Sequence, residues 1–362
     1  MQHKIITRGP LLDENGHLTE AGYSTSLVLD YDRSAIRGGK LRIKEWDYYL
    51  ITNGHIGVAL TIADNSYMGL DSISFLDFDE GWEITRSPMR IMTMGKTGFP
   101  ATSSKGDVEI FGKDYFLSFK NDGSGRTLSF KMDKFRDGDA IRGEIKLANP
   151  LREAVADTHS DTMVISTPFP EKQTAFYYNQ KINCMPAGGF VDLGDRHIDL
   201  GDANNPQPDA KASPFFGLLD WGRGVWTYKN TWYWGSASGM ANGKPFGFNL
   251  GYGFGDTSAA SENMLFYDGV AHKLSQVTFN IPKDDNGNEL YEEPWTFTSD
   301  DGRFEMDFVP VMDRASKTDF KILCSDQHQV FGRFTGKAIL DDGTEIEIKD
   351  FFGFAEKVFN KW

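Results

Sequence analysis

A chain of 362 residues can bury two sizeable cores, and 52 Asp plus Glu against 38 Lys plus Arg give it a formal charge of −14. An acidic surface repels phosphate, so nucleic acid and anionic lipid surfaces are excluded as expected partners. Two cysteines, Cys184 and Cys324, are too few for a disulfide framework and are expected as buried thiols.

The opening residues, Met1 to Pro10, lack the apolar core of a secretory signal. No stretch approaches the roughly 18 consecutive apolar residues of a membrane span. The expectation is a cytoplasmic protein without stable membrane insertion. With 28 Phe, 13 Tyr, 8 Trp and 38 Gly, the composition favours strands and tight turns over helices.

In chain order, the first strong signal runs from Trp46, Tyr48 and Tyr49 through Gly57 to Asp64, followed by an apolar strand from Ile73 to Phe78 with Asp77 at its acidic end. Apolar side chains then recur at every second position in Asp107 to Gly112 and in Arg126 to Met132, as in half-buried antiparallel strands. Pairs such as Asn53-Gly54, Asp122-Gly123, Asp137-Gly138, Asn242-Gly243 and Asp301-Gly302 accept the positive φ of two-residue hairpin turns. The second half repeats the first: Trp232 and Trp234 lead to Gly247 and Asp256, and Met264 to Gly269 repeats the apolar strand with its acidic turn. Asp122 to Phe130 recurs at Asp301 to Phe304, and Ile141 to Gly143 at Val330 to Gly332, in the same order. A repeat of about half the chain means domain duplication rather than a propeller or solenoid. The predicted division is an N-terminal β domain over 1–175 and a C-terminal one over 176–362. Only Ser213 to Leu219 and Thr257 to Met264 suggest short helices. The polar, Pro-rich segment 202–214 is a linker or a lid.

Four stretches carry candidate chemistry. Around 177–183, Tyr177, Asn179, Lys181 and Asn183 share one strand face, which is either a solvated surface or the lining of a ligand cavity. Asp220, Trp221, Arg223 and Trp226, with Trp232 and Trp234, supply flat apolar walls beside charge; the plainer explanation is a core corner sealed by an Asp220–Arg223 ion pair. Glycine at 247, 251, 253 and 255 strips one face of a strand, leaving Asn249 as the only side chain in its row, so that something can approach closely. Asp256 and Glu262 form the best carboxylate pair for acid–base work, Asp256 having a turn-forming role as its alternative. His328, between Gln327 and Gln329, is a base, an orienting group or a core histidine. The absence of His-x-His and Cys-x-x-Cys spacing argues against a metal centre, and no Gly-x-Ser-x-Gly elbow occurs.

Phe176 to Ala187, Asp220 to Trp226, Trp232 to Ser238, Gly247 to Asp256, Gln327 to Gly332 and Gly353 to Lys357 together resemble the bacterial domain of unknown function 2804 proteins. That family is similar to the carotenoid hydratase and AttH-like proteins, so the resemblance implies an all-β chain of two tandem lipocalin-like antiparallel barrels with few short helices. It further implies a place among hydratases acting on isoprenoid double bonds, cyclases of polyketide-derived substrates and lipid-handling proteins.

The expected function is binding of a largely apolar, aromatic-stacking small molecule in a barrel or inter-barrel cavity, with acid-assisted, non-redox hydration, isomerisation or cyclisation. Asp256 or Asp220 would be the acid, aided by Glu262. Trp221, Trp232, Trp234 and Tyr252 would stack on the ligand, while Asn179, Lys181, Asn183, Arg223, Asn249 and His328 would orient it. No metal or cofactor is required. A non-catalytic lipid or metabolite carrier and a carbohydrate-active enzyme with paired carboxylates are the alternatives.

Overall fold

The computed structural model describes residues 2–150, 160–205, 213–319 and 324–361. Hairpin follows hairpin, as the alternation and the turn pairs predict. One sheet runs, neighbour to neighbour, through Trp82–Arg86, Met68–Asp77, Ile56–Asp64, Lys44–Thr52, Phe216–Val225, Phe176–Leu193, Asp139–Ala148, Gly125–Arg136, Tyr115–Asn121 and Val108–Phe111. The other runs through Val270–Lys273, Met264–Tyr267, Lys244–Tyr252, Lys229–Ala241, Glu345–Lys361, Cys324–Ile339, Phe304–Asp319, Trp295–Ser299 and Val277–Asn280. Neighbours on both paths are antiparallel. In both sheets the strand carrying the tryptophan repeat, Lys44–Thr52 or Lys229–Ala241, pairs with the next strand on one side and with the last strand of its sheet on the other.

Each sheet curls so that its edge strand Trp82–Arg86 or Val270–Lys273 meets a side chain from far along the same sheet. The Arg136 guanidinium lies 3.7 Å from the Trp82 ring in the first, and Arg303 Nη1 donates to the Lys273 carbonyl at 2.8 Å in the second. The result is two lipocalin-like barrels, each around its own core. Tyr49, Ile51, Leu60, Ile73, Phe130, Ile145 and Trp221 fill the first, and Phe248, Phe297, Phe308 and Phe334 fill the second. Because side chains alternate across a strand, the same strands present a second face outward. Leu50, Leu76 and Leu218 from the first sheet meet Trp234, Phe331 and Phe354 from the second in a shared apolar layer. The barrels are therefore packed wall to wall.

The strand pairing departs from the expected division at 175/176. Phe176–Leu193, Arg196–Gly201 and Phe216–Val225 all pair within the first sheet, so the chain changes sheets between Val225 and Lys229. The repeat signal begins at Trp232, but the preceding strands carry no copy of it and complete the first barrel. The two expected helical segments are also corrected. Phe216–Val225 begins inside the first, its apolar side chains suiting a two-faced buried strand, and residues 257–263 run through bends and irregular backbone before Met264–Tyr267. The described helices are two 3-10 turns, Arg33–Ala35 and Lys40–Arg42. Among the described residues no helix is long and apolar enough to cross a membrane. Residues 206–212 of the Pro-rich segment lie outside the described residues. Of the two thiols, Cys184 is buried and Cys324 only partly so.

Candidate functional site

Three strands of the first sheet turn a polar row toward the second. Lys181, Asp220 and Tyr48 are register partners across Phe176–Leu193, Phe216–Val225 and Lys44–Thr52. Opposite them, Gly251, Trp234, Glu356 and Gln329 are register partners across four strands of the second sheet. Lys181 joins the two rows: its Nζ is 2.8 Å from Asp220 Oδ1 and 3.9 Å from the Trp234 ring centroid. Asn179 Nδ2 donates to the same Asp220 oxygen at 2.6 Å. All four of these side chains are buried.

Glu356 stands at the centre of the second row. It accepts from Trp232 Nε1 at 3.1 Å and from the Gln327 and Gln329 amides, each at 3.2 Å. Arg314 Nη1 in turn donates to Gln329 at 3.0 Å. Burial pushes the Glu356 carboxyl up to about 7, with the Trp232 hydrogen bond and Lys181 opposing the rise. Glu262 is raised too, chiefly by burial, with Lys181 again opposing. Burial raises the Tyr177 hydroxyl far above its ordinary value, and Glu262, Asp220 and Glu356 add to the effect. Burial likewise lifts Tyr48 to about 12. The cluster is thus one electrostatic unit. Trp46, Trp232, Gln327 and Arg314 around it are only partly buried, so it lies one side chain below the surface.

The bare row predicted along Lys244–Tyr252 serves this site. A Cβ at Gly251 would lie 3.0 Å from the Glu262 side chain, so glycine lets that carboxyl rest on the strand. Asn249 accepts from Trp234 Nε1 at 2.8 Å and donates to the Glu262 carbonyl at 3.0 Å, fixing indole and acid together. Gly253 and Gly255 lie beyond the strand, at φ of 87° and 69°.

Of the predicted residues, Asn179, Lys181, Asp220, Trp232, Trp234, Asn249 and Glu262 converge here. Asn183 also faces the junction, where it donates to Ser236 Oγ at 2.8 Å and to the Phe248 carbonyl at 3.2 Å, tying sheet to sheet. The others lie elsewhere. Trp221 and Arg223 point into the first barrel, because Asp220 and Arg223 are three residues apart on a strand and face opposite ways. The anticipated Asp220–Arg223 pair is therefore replaced by Asp220–Lys181 and by Arg223–Asp47 at 3.0 Å. Asp256 accepts from the Ser258 backbone N–H at 2.9 Å, and the Ser258 hydrogen bonds hold its carboxyl below the usual range. That geometry matches the turn-forming alternative expected for Asp256. His328 bonds Asp313 through Nδ1 at 2.6 Å and stacks on Tyr291 with centroids 3.7 Å apart. Tyr291 beneath it and Tyr252, which stacks on Tyr233, are packed against the second core instead.

Sequence reasoning missed Glu356 as an acid, although the Gly353 to Lys357 run had marked its neighbourhood. Its burial depends on a partner sheet that no local pattern shows. No group of three or more His, Cys, Asp or Glu side chains among the described residues is arranged to hold a metal.

Two solved structures share the architecture. An AttH-like protein from Nitrosomonas europaea matches with a TM-score of 0.52 and 11% identity, over 96% of this chain and 98% of its own. Kievitone hydratase from Nectria haematococca matches with a TM-score of 0.53 and 9% identity, over 88% of this chain and 89% of its own. These likenesses establish the fold. No curated protein matches the chain in sequence. The family model described as a domain of unknown function, number 2804, matches residues 2–362, and the chain belongs to that family.

Proposed function

We propose that the cluster between the barrels is a catalytic site for acid-assisted, non-redox chemistry, such as hydration, on a largely apolar small molecule. The observation that carries this is Glu356: a buried carboxyl, raised to about 7, against the Trp232 indole and facing a fixed Lys181–Asp220 pair. A general acid works best when its pKa lies near the operating pH. In hydration, the Glu356 proton passes to one carbon of a substrate double bond. Water adds to the other carbon, and the proton that water sheds returns to Glu356. The Trp232 and Trp234 faces stabilise the cationic character that develops between those steps. Asp220, oriented by Lys181 and Asn179, accepts a hydrogen bond from the attacking water. Kievitone hydratase, one of the proteins sharing the fold, is named for a reaction of this kind.

The test is a panel of isoprenoid, flavonoid and polyketide-type alkenes and enones incubated with the protein in deuterated water, with mass spectrometry of the products. The expected outcome is solvent deuterium or a water adduct in one class, lowered about 100-fold or more by Glu356→Gln. Turnover that is unchanged in Glu356→Gln would overturn the assignment.

A further inference from the structure

The strands that carry the junction row bear a second charged constellation on their opposite face, inside the first barrel. Glu45 and Asp47 alternate with Lys44, Trp46 and Tyr48, just as Trp221 and Arg223 alternate with Asp220 and Gly222. Against the first core lies an open cavity of about 400 Å³, walled by the Tyr31 and Phe99 rings, Gly95, Gly98, Arg33 and Glu45, with exposed Asp32 and Ala101 beside them. Its size suits a small organic molecule.

The chemistry of the wall selects among such molecules. The Glu45 side chain is 3% exposed, and its two oxygens accept from Tyr31 Oη at 2.8 Å and from Arg33 Nη1 at 2.5 Å. A carboxylate offers about four acceptor directions, so two remain. Arg33 is engaged further, donating to Ser66 Oγ at 3.2 Å, and its charge offsets that of Glu45. Asp32 accepts from the backbone N–H and hydroxyl of Ser34, each at 2.8 Å, and is held in its ionised form. Behind Phe99 the Arg223 guanidinium, 4.7 Å from that ring, is paired with Asp47 at 3.0 Å and adds no net charge. The wall thus has one carboxylate in excess, spare acceptors and two aromatic faces. Among the described residues that line it, Arg33 is the one cation, and it is paired with Glu45.

We propose that this cavity is a binding site for a small planar organic cation, its ring between Tyr31 and Phe99 and its nitrogen donors on Glu45 and Asp32. Aromatic faces attract cations as carboxylates do, so both parts of the wall favour the same charge. The site is separate from the junction cluster, and its failure would leave the Glu356 reading untouched.

Benzamidine and benzoate, which share one shape and differ in charge, test this directly by isothermal titration calorimetry on the full chain. Benzamidine is expected to bind saturably and benzoate at least about 10-fold more weakly, a difference of about 1.4 kcal/mol. Glu45→Gln should lower benzamidine binding by about the same factor. Ala101→Trp, at an exposed position beside the cavity and therefore compatible with folding even if Glu45→Gln is not, should abolish it. Binding of benzoate as tight as that of benzamidine, benzamidine binding that survives Ala101→Trp, or no saturable binding by either probe would overturn the proposal.

Discussion

Lys181 Nζ stands 2.8 Å from Asp220 Oδ1, and the two residues are register partners on adjacent strands, both buried where two barrels meet. Removing one member of a buried ion pair strands the other charge, at a cost of about 3–5 kcal/mol, whereas replacing both with apolar groups can be nearly neutral. Lys181→Met should therefore lower the unfolding free energy by about 3–5 kcal/mol in urea, and Lys181→Met with Asp220→Leu should recover most of it. A double variant no more stable than the single one would show that the pair is not what holds this region.

Glu356 gives the junction a pH dependence of predictable sign. Its folded carboxyl lies at about 7 against an ordinary 4.5, so the folded state binds the proton more tightly than the unfolded chain. The associated stability is fully present below about 4.5 and is lost as pH rises through about 7, a change of about 3 kcal/mol. Other groups titrate over the same range, so the informative quantity is a difference. The unfolding free energy of the wild type minus that of Glu356→Gln should fall by about 3 kcal/mol between pH 4.5 and pH 8. A flat difference contradicts the burial effect.

Asp256 and Glu356 should respond in opposite ways to amide substitution. Asp256→Asn keeps a turn-forming acceptor for the Ser258 N–H and is expected to change stability by less than about 1 kcal/mol, with activity toward any identified substrate intact. A large loss of turnover in Asp256→Asn alone would return the acid role to that residue.

Gly222 is the floor under Trp46. A Cβ there would fall 2.0 Å from the Trp46 Cζ2 atom, and Trp46 itself stacks on Tyr177 with centroids 6.1 Å apart. Gly222→Ala should displace the indole, costing about 1–3 kcal/mol and altering the near-ultraviolet circular dichroism. Wild-type stability and spectrum would mean that the ring does not lie flat on this backbone.

The barrel walls were legible because alternation is a local property. In Phe176–Leu193, Tyr178 and Ile182 enter the first core while Tyr177, Asn179 and Lys181 face the second barrel, as the period-two pattern requires. The tryptophan repeat likewise marked the strand in each sheet that pairs with the last strand. What the pattern could not show was the partner of each outward face. Asp256 looked acidic and aromatic-flanked in one dimension, yet its strand has ended before it is reached. Glu356 looked like one charge beside Lys357, and only the flanking strands that bring Trp232, Gln327 and Gln329 to it, with Lys181 and Asp220 of the first sheet nearby, make it a buried acid. The pairing of Phe216–Val225 with Lys44–Thr52 was hidden for a related reason: the two strands lie far apart along the chain.

The most direct measurement is a carbon-13 NMR titration of glutamate side-chain carboxyls in the wild type and in Glu356→Gln. One carboxyl resonance titrating near pH 7, absent from the variant, is the predicted result. If every glutamate of the wild type titrates below about pH 5, the ordinary range for an exposed carboxyl, Glu356 is not the neutral acid on which the junction chemistry depends.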